Sequence, residues 1–366
     1  MKFTCEKIVL LREISIAQDI IASKNAISIL SNIYLEAGND SLVIKATDMK
    51  VNFETTVPVN VIESGSTTVF GDKFFGIINS FPYDEIEFSQ HDLNIIIKPV
   101  VQKKPEYKLK SIASDKFPEF PVSNVPFFDI PIKDFKDMVQ HTVFAVSDDE
   151  TRYFMNGVYL EKSEDKINMV ATDGRRLAFI GKSAEKEVND FSGIIIPPKI
   201  LNIIYKRSGD EGLISMSVSD KTIFVTFASY KFSSTLIEGV FPNYRKVIPE
   251  SQEFSLLVKR EEMLSALRRV ALMVEQKSHR IYFGISSGKM AVYSEESEMG
   301  TVEDEISCQY EGEEVTIALN YRYIEEPLKI IKDEDIAIYF TGATKAITME
   351  TVPKKDFFHI VMPMQS

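Results

Sequence analysis

Ala171-Thr172-Asp173-Gly174-Arg175-Arg176-Leu177 closely follows Asn156-Gly157-Val158-Tyr159-Leu160-Glu161, and a weaker copy of both stands 125 residues earlier. Tyr34-Leu35-Glu36 matches Tyr159-Leu160-Glu161, and Ala46-Thr47-Asp48 matches Ala171-Thr172-Asp173, at one offset without a gap. Two triplets in a single register mark an internal repeat. A second marker extends it to three: Phe117-Pro118, Phe241-Pro242 and Met362-Pro363 are apolar–proline pairs spaced 124 and 121 residues apart. The chain of 366 residues reads as one domain written three times, each copy of roughly 120 residues being long enough to bury its own core.

The boundaries expected are 1–122, 127–248 and 249–366. Phe117–Pro131, with Pro118, Pro121, Pro126 and Pro131, is the first linker, and Pro242–Pro249 is the second junction. Composition is that of a globular protein, 44% hydrophobic and 26% charged, which excludes a disordered or fibrous chain. Cys5 and Cys308 lie in different repeats without CxxC spacing, so neither a disulfide framework nor a zinc site is indicated. Met1–Lys7 carries charge where a signal peptide needs an apolar core, and no apolar run approaches the roughly 18 residues of a membrane span. These features lead us to expect a soluble, cytoplasmic protein without a membrane partner.

Each repeat opens with a short strand-like run followed by an amphipathic stretch. Helices are expected over 7–24, with Ile8, Leu11, Ile14 and Ile21 on the apolar face, over 132–147, with Phe135, Met138, Val139 and Thr142, and over 259–274, with Met263, Leu264, Leu267 and Val270. A second helix is expected in each copy, over 71–81, 197–208 and 320–332. Pro197-Pro198 suits a helix start, whereas Pro327 should kink the last helix or delay it. Alternating segments such as Ser41–Ala46, Lys166–Ala171, Thr222–Phe227, Lys289–Tyr293 and Glu314–Ala318 read as antiparallel strands, with turns at Gly38-Asn39-Asp40 and Ser287-Gly288. The fold class is therefore α+β: three repeated domains, each with two helices and antiparallel sheet.

A formal net charge of −12 argues against nucleic acid only if it is evenly spread. Counted over the six helical stretches the charge is +7, which leaves −19 on the rest of the chain. The second helices also begin with Lys73, Lys199 and Arg322, cations placed against the helix dipole. Helices rich in Lys and Arg are the ordinary explanation; a shared wall facing an anion is the sharper one.

Catalytic signatures are missing. Gly181-Lys182-Ser183 imitates the end of a P-loop, but Arg176 occupies the required upstream glycine position. No nucleophile elbow, zincin or dinucleotide fingerprint occurs. His91, His141, His279 and His359 are isolated from one another in sequence. Asp148-Asp149-Glu150 has the chemistry to hold a hard cation, yet a solvated acidic turn is the commoner use. Asp173, echoed by Asp48, reads as a turn residue capping its own backbone. No enzyme, cofactor or metal is expected.

Met1-Lys2-Phe3-Thr4, Thr151–Gly157, Ala171–Ala178, Gly239–Pro249 and Val361-Met362-Pro363-Met364 together resemble the bacterial sliding clamp family, the β subunit of DNA polymerase III. The resemblance runs the whole length of the chain in order. It implies DNA replication: a head-to-tail homodimer closing a ring of six domains around duplex DNA, which tethers the polymerase and performs no chemistry itself. Helix packing agrees. Six helices at about 9 Å spacing enclose a circle too narrow for a duplex, whereas twelve leave roughly 24 Å clear. An acidic exterior with a modestly cationic lumen would let such a ring slide without sticking.

The resemblance implies three sets of site residues. Peptides of the polymerase III alpha subunit, of clamp-loader subunits and of other polymerases and repair proteins would dock in a cleft between the second and third domains. Its residues would be Met155, Thr172, Gly174, Arg175, Arg176, Leu177, Pro242, Lys246, Val247, Asn320, Tyr323, Met362, Pro363 and Met364, an apolar pocket whose methionines can repack around different ligands. Thr344 and Gln365 stand where family members often carry apolar and basic residues. DNA phosphates would meet Lys24, Lys73, Arg152, Tyr153, Lys199, Lys206, Arg207, Arg268 and Arg269, although the acidic Asp148 and Asp149 beside Arg152 depart from the family. The dimer contact would set Lys104, Tyr107, Lys108 and Leu109 against Leu272, Met273, Glu296, Glu298 and Glu303 of the other copy. Two readings compete with this one: an interaction scaffold of the same fold that does not encircle DNA, and a small-molecule enzyme using Asp173 and the 148–150 carboxylates.

Overall fold

The structure, a computed structural model, describes residues 1–21, 28–183, 191–275, 277–296 and 300–365. Strand runs directly into helix at the head of every repeat. The first repeat orders β1 (Lys2–Glu6), α1 (Lys7–Ile20), β2 (Asn32–Gly38), β3 (Ser41–Thr47), β4 (Val51–Pro58), β5 (Asn60–Glu63), β6 (Gly65–Phe70), α2 (Gly71–Ser80), β7 (Glu85–His91), β8 (Asn94–Pro99) and β9 (Tyr107–Ile112). The second orders β10 (Phe128–Pro131), α3 (Ile132–Thr142), β11 (Val158–Ser163), β12 (Lys166–Thr172), β13 (Arg176–Ser183), β14 (Ile194–Ile196), α4 (Pro198–Arg207), β15 (Leu213–Ser219), β16 (Thr222–Phe227) and β17 (Tyr230–Thr235). The third orders β18 (Phe254–Lys259), α5 (Arg260–Val270), β19 (Arg280–Ser286), β20 (Lys289–Tyr293), β21 (Glu303–Gln309), β22 (Val315–Asn320), α6 (Tyr321–Ile330), β23 (Asp335–Phe340), β24 (Ile347–Val352) and β25 (Phe357–Val361).

By their contacts these residues form two compact units, one holding 1–133 and 199–236, the other 134–183, 191–198 and 237–365. Each is built on one antiparallel sheet. In the first the strand order is β10-β15-β16-β17-β4-β3-β2-β6-β9-β8-β7-β1-β5. In the second it is β14-β11-β12-β13-β25-β24-β23-β18-β21-β20-β19-β22. The ladders thus cross the repeats. β17 of the second repeat joins β4 of the first, and β25 of the third joins β13 of the second. Both seams use one register: Asn52 faces Ser233 and Phe53 faces Phe232, as Leu177 faces Ile360 and Ala178 faces His359.

Period-two burial explains the strands. Leu42, Ile44 and Ala46 of β3 and Val51, Phe53 and Val57 of β4 point into the core. In the first unit α1 and α2 pack together, with Leu10, Ile14, Ala17 and Ile20 of the one and Phe74 and Ile78 of the other buried. In the second unit Met263, Leu264, Leu267 and Val270 of α5 are buried as expected, as are Ile324 and Leu328 of α6. Each fully buried side chain of this size contributes roughly 1.5–3 kcal/mol.

Several expectations are corrected. The apolar face of α1 lies about one residue away from the one expected: Ile8 is 69% exposed, while Glu13 is fully buried. That carboxylate is tolerated because Arg12 Nε donates to it at 2.7 Å and Tyr230 Oη at 3.2 Å. The helix ends at Ile20, and part of the expected 7–24 span lies outside the described residues. The expected 132–147 helix stops at Thr142, whose hydroxyl bonds back to the Met138 carbonyl at 2.7 Å before a short 3₁₀ turn, Val143–Ala145. The expected 259–274 helix likewise tightens to a 3₁₀ turn over Ala271–Met273. Pro327 does not delay α6. The Asn320 side chain caps its start by accepting from the Arg322 N–H at 3.0 Å, and Pro327 is absorbed within the helix. No described helix is long and apolar enough to cross a membrane.

Candidate functional site

The turn between β12 and β13 is built by local hydrogen bonds. Thr172 Oγ1 accepts from the Gly174 N–H at 3.0 Å and donates to the Arg176 carbonyl at 2.5 Å. Asp173 Oδ1 accepts from the N–H groups of Arg175 at 2.8 Å and Arg176 at 3.1 Å. The carboxylate is therefore engaged in holding the turn, as its echo in the first repeat is. There Asp48 Oδ1 accepts from Lys50 and Val51, and Thr47 Oγ1 from Met49. Gly174 has φ +88°, and a Cβ there would lie 2.9 Å from Arg152 Nη1. Glycine is the residue that takes this conformation without strain.

Beside this turn lies a cleft of about 230 Å³, wholly within the second unit. Met155, Thr172, Gly174, Arg175, Arg176, Leu177, Pro242, Val247 and Met362 line it, so nine of the residues expected at the partner cleft share one wall. Asn243, Tyr244 and Ile360, which are not among the residues expected at the cleft, also line it. Beneath is an apolar cluster of Val170, Leu177, Ile195, Phe241, Tyr244 and Ile360, with Tyr159 stacked on Phe241 and Phe179 on Phe358. Gly157 permits that packing: a Cβ there would meet Ile195, the Ile196 carbonyl and Ile237 at 2.7–2.8 Å.

Polar supports hold the apolar lining in place. Arg176 binds Asp173 through Nε at 3.1 Å, the Phe144 carbonyl at 2.6 Å and Glu326, while its guanidinium lies 4.5 Å from the Tyr323 ring centroid. Tyr244 Oη donates to the buried Glu161 at 2.5 Å; burial, and after it that carboxylate, push the phenol well above its usual range. Arg245 closes the same carboxylate from outside. The chain end is tied down by the Met362 N–H to Arg175 and the Met364 N–H to Ala318, both at 2.8 Å. Of the remaining expected residues, Tyr323 underlies Arg176 and Asn320 caps α6, while Lys246, Pro363 and Met364 do not line the cleft.

The expected DNA-facing cations divide by environment. Lys73 is exposed on α2, and Lys206 lies 3.6 Å from Asp19 with its side chain 64% exposed. Arg207 is turned inward, its guanidinium held by Asp19 and Ser15 of α1. Lys199 bridges Asp48 at 2.6 Å and the Ile20 carbonyl at 2.8 Å. Arg152 pairs with Asp149 at 2.8 Å beside the exposed Tyr153, and the Thr151 hydroxyl together with Arg152 holds the Asp149 carboxyl down to about 2. Arg268 lies 3.9 Å from Glu325, and Arg269 binds Asp304 at 2.5 Å. Lys24 lies outside the described residues.

The expected dimer residues sit on or near half-paired edge strands. β9 pairs with β8 through Tyr107–Lys110 but meets β6 only through Ser111 and Ile112. β21 pairs with β20 over Glu303–Ser307 but meets β18 only at Cys308 and Gln309. Among the described residues, one backbone edge of each therefore has no strand partner. Lys108 and Lys110 are exposed on the first, as are Glu303 and Glu305 on the second. Lys104 is exposed ahead of β9, Leu272 is 79% exposed after α5 with Met273 half-buried beside it, Glu296 is exposed, and Glu298 lies outside the described residues.

Comparison with known proteins follows the three repeats. Residues 1–121, 129–243 and 245–365 match the families described as the N-terminal, central and C-terminal domains of the DNA polymerase III beta subunit. The chain is 44% identical to the beta sliding clamp of Treponema pallidum and 26% identical to that of Pseudomonas putida, each over the full length of both chains. Among solved structures, a sliding clamp from Bartonella birtlesii bound to griselimycin superposes with a TM-score of 0.95 at 26% identity, covering all of both chains. A DNA polymerase III beta subunit from Thermotoga maritima gives 0.91 at 25% identity, covering 100% of this chain and 99% of that one.

Proposed function

The chain belongs to the DNA polymerase III beta subunit family, and from that premise we propose that two copies close head to tail around duplex DNA and tether a replicative polymerase to it. The ring would hold six domains, 1–122, 127–248 and 249–366 from each copy. One observation carries this reading: the two seams within the chain share a register, and the repeat leaves a third pair of edges over. A step of 125 residues takes β4 to β13, and 127 takes β17 to β25. The corresponding strands left without partners are β21 of the third repeat and β9 of the first. Lysines on one edge and glutamates on the other are complementary, and they also discourage each edge from pairing with its own kind. Joining β9 of one copy to β21 of the next closes a heterologous contact after two chains.

In this assembly the apolar cleft of the second unit takes a short linear peptide from the polymerase III alpha subunit, a clamp-loader subunit or a repair protein. Lys73, Lys206, Arg268 and other helix cations face phosphates without reading sequence. The protein acts in the cytoplasm without a cofactor and catalyses nothing; Asp173 and Asp149 are occupied as turn and cap groups. Sedimentation should give a two-chain particle, and the protein should be retained on nicked circular duplex and lost on linearisation. Monomeric sedimentation together with equal retention on linear and circular DNA would overturn the ring.

A further inference from the structure

The first unit carries a groove that the proposed function does not use. It is a cavity of about 620 Å³ over the seam of β4 and β17, with Glu119–Ser123 along one wall. By the repeat it lies over the strands that correspond to those beneath the second unit's cleft, and the two linings share equivalent positions. Asn52 and Ser233 face one another where Leu177 and Ile360 do, and Phe120 follows Phe117-Pro118 as Tyr244 follows Phe241-Pro242. The chemistry is different. Where the second unit lines up Val170, Phe179 and Phe358 across three strands, the first lines up Lys45, Glu54 and Lys231.

Glu54 lies 3.2 Å from the Lys45 ammonium and 2.9 Å from that of Lys231, so two cations share one carboxylate. Lys45 also stands 5.6 Å from the ring centroids of both Tyr34 and Phe120, and Lys231 is 66% exposed on its outer side. Phe120, Phe127, Phe224 and Phe232 supply apolar wall, and Glu119 stands on the rim. We propose that this groove is a second peptide site, binding an extended segment in which acidic residues alternate with aromatic or aliphatic ones. The acidic side chain adds to the Lys45–Lys231 pair, whose charge Glu54 only half neutralises, and the apolar ones lie on the phenyl rings. A phosphate backbone fits poorly, because it carries charge at every step and would set it against four phenyl rings with two lysines between them, whereas nucleic acid is held by clustered cations.

This inference stands apart from what the second unit's cleft binds, and one titration on the full chain separates the two. The probe is a fluorescein-labelled decapeptide alternating Glu with Phe and Leu, followed by anisotropy, with Gln replacing Glu in the control. The control should bind at least about tenfold more weakly, and Lys231→Glu should weaken the acidic probe by a similar factor. Glu54→Gln, which frees both lysines, should tighten it, and deletion from Met362 onward should leave it unchanged. The proposal is overturned by a probe that binds the Lys231→Glu and wild-type chains equally, is lost with the Met362 tail, is displaced by a short DNA duplex, or fails to saturate below about 1 mM.

Discussion

Gly174 and Thr172 show how little of the cleft is adjustable at the level of single residues. An alanine at Gly174 must hold φ near +88° and press on Arg152, a strain of roughly 1–2 kcal/mol. Gly174→Ala should therefore lower Tm by a few degrees and weaken peptide binding together, read by melting and titration of one preparation; an unchanged affinity would separate the turn from the site. The histidines make a second prediction. His141 and His359 stack at 5.8 Å between centroids, with Phe357 3.8 Å from His141. Burial pushes His141 down to about 4, Lys182 adding to it against Asp137, and pushes His359 down to about 3, with His141 and Arg176 adding to it. Both are neutral when folded, so the unfolded chain takes up protons first as pH falls below about 6.5. Stability should be level above that pH and decline from it toward pH 4, and His359→Phe should flatten this acid limb in Tm measured against pH. An acid limb identical to wild type would exclude His359 as its source.

Side chains on several elements of this chain take partners distant in sequence. The amphipathic pattern located α1 yet set its buried face about one residue off, because a carboxylate at Glu13 gave no sign of the Tyr230 hydroxyl 217 residues away. Arg207 of α4 is expected at DNA phosphates, but it is committed to Asp19 and Ser15 of α1. The chain end behaves in the same way: the N–H groups of Met362 and Met364 donate to the carbonyls of Arg175 and Ala318. Deleting the chain from Met362 onward should cost at least about tenfold in affinity for a polymerase peptide while leaving sedimentation unaltered. A truncated chain that binds the peptide as before would place the site elsewhere. Asn320→Ala, which removes the cap of α6, should cost about 1 kcal/mol in denaturant unfolding.

For the whole molecule the proposal to test is the pairing of β9 of one copy with β21 of the next. Reversing Lys104 and Lys108 to glutamate should weaken dimerisation most at low salt, and reversing Glu303 and Glu305 in the same chain should restore it. A dimer constant indifferent to both salt and the double reversal would remove β9 and β21 from the interface. Binding on closed DNA should depend only weakly on salt, since several of the helix cations already have carboxylate partners within the chain and few counterions remain to be released.

The residues alone determined what depends on neighbours in the chain. The triple repeat, the Thr-Asp turns at 47–48 and 172–173, the strand-into-helix openings and the Pro198 helix start all rest on interactions within a few positions, and they are written wherever those positions are read. Tertiary structure decided what depends on pairing across long separations. It set the joining of β4 to β17 and of β13 to β25, brought His141 and His359 together, drew Tyr244 and Ile360 into the cleft wall, and directed Arg207 and Lys199 to partners on the protein itself. A backbone edge or a guanidinium can bond to any complementary group that folding brings within about 3 Å, and local pattern carries no record of which group arrives.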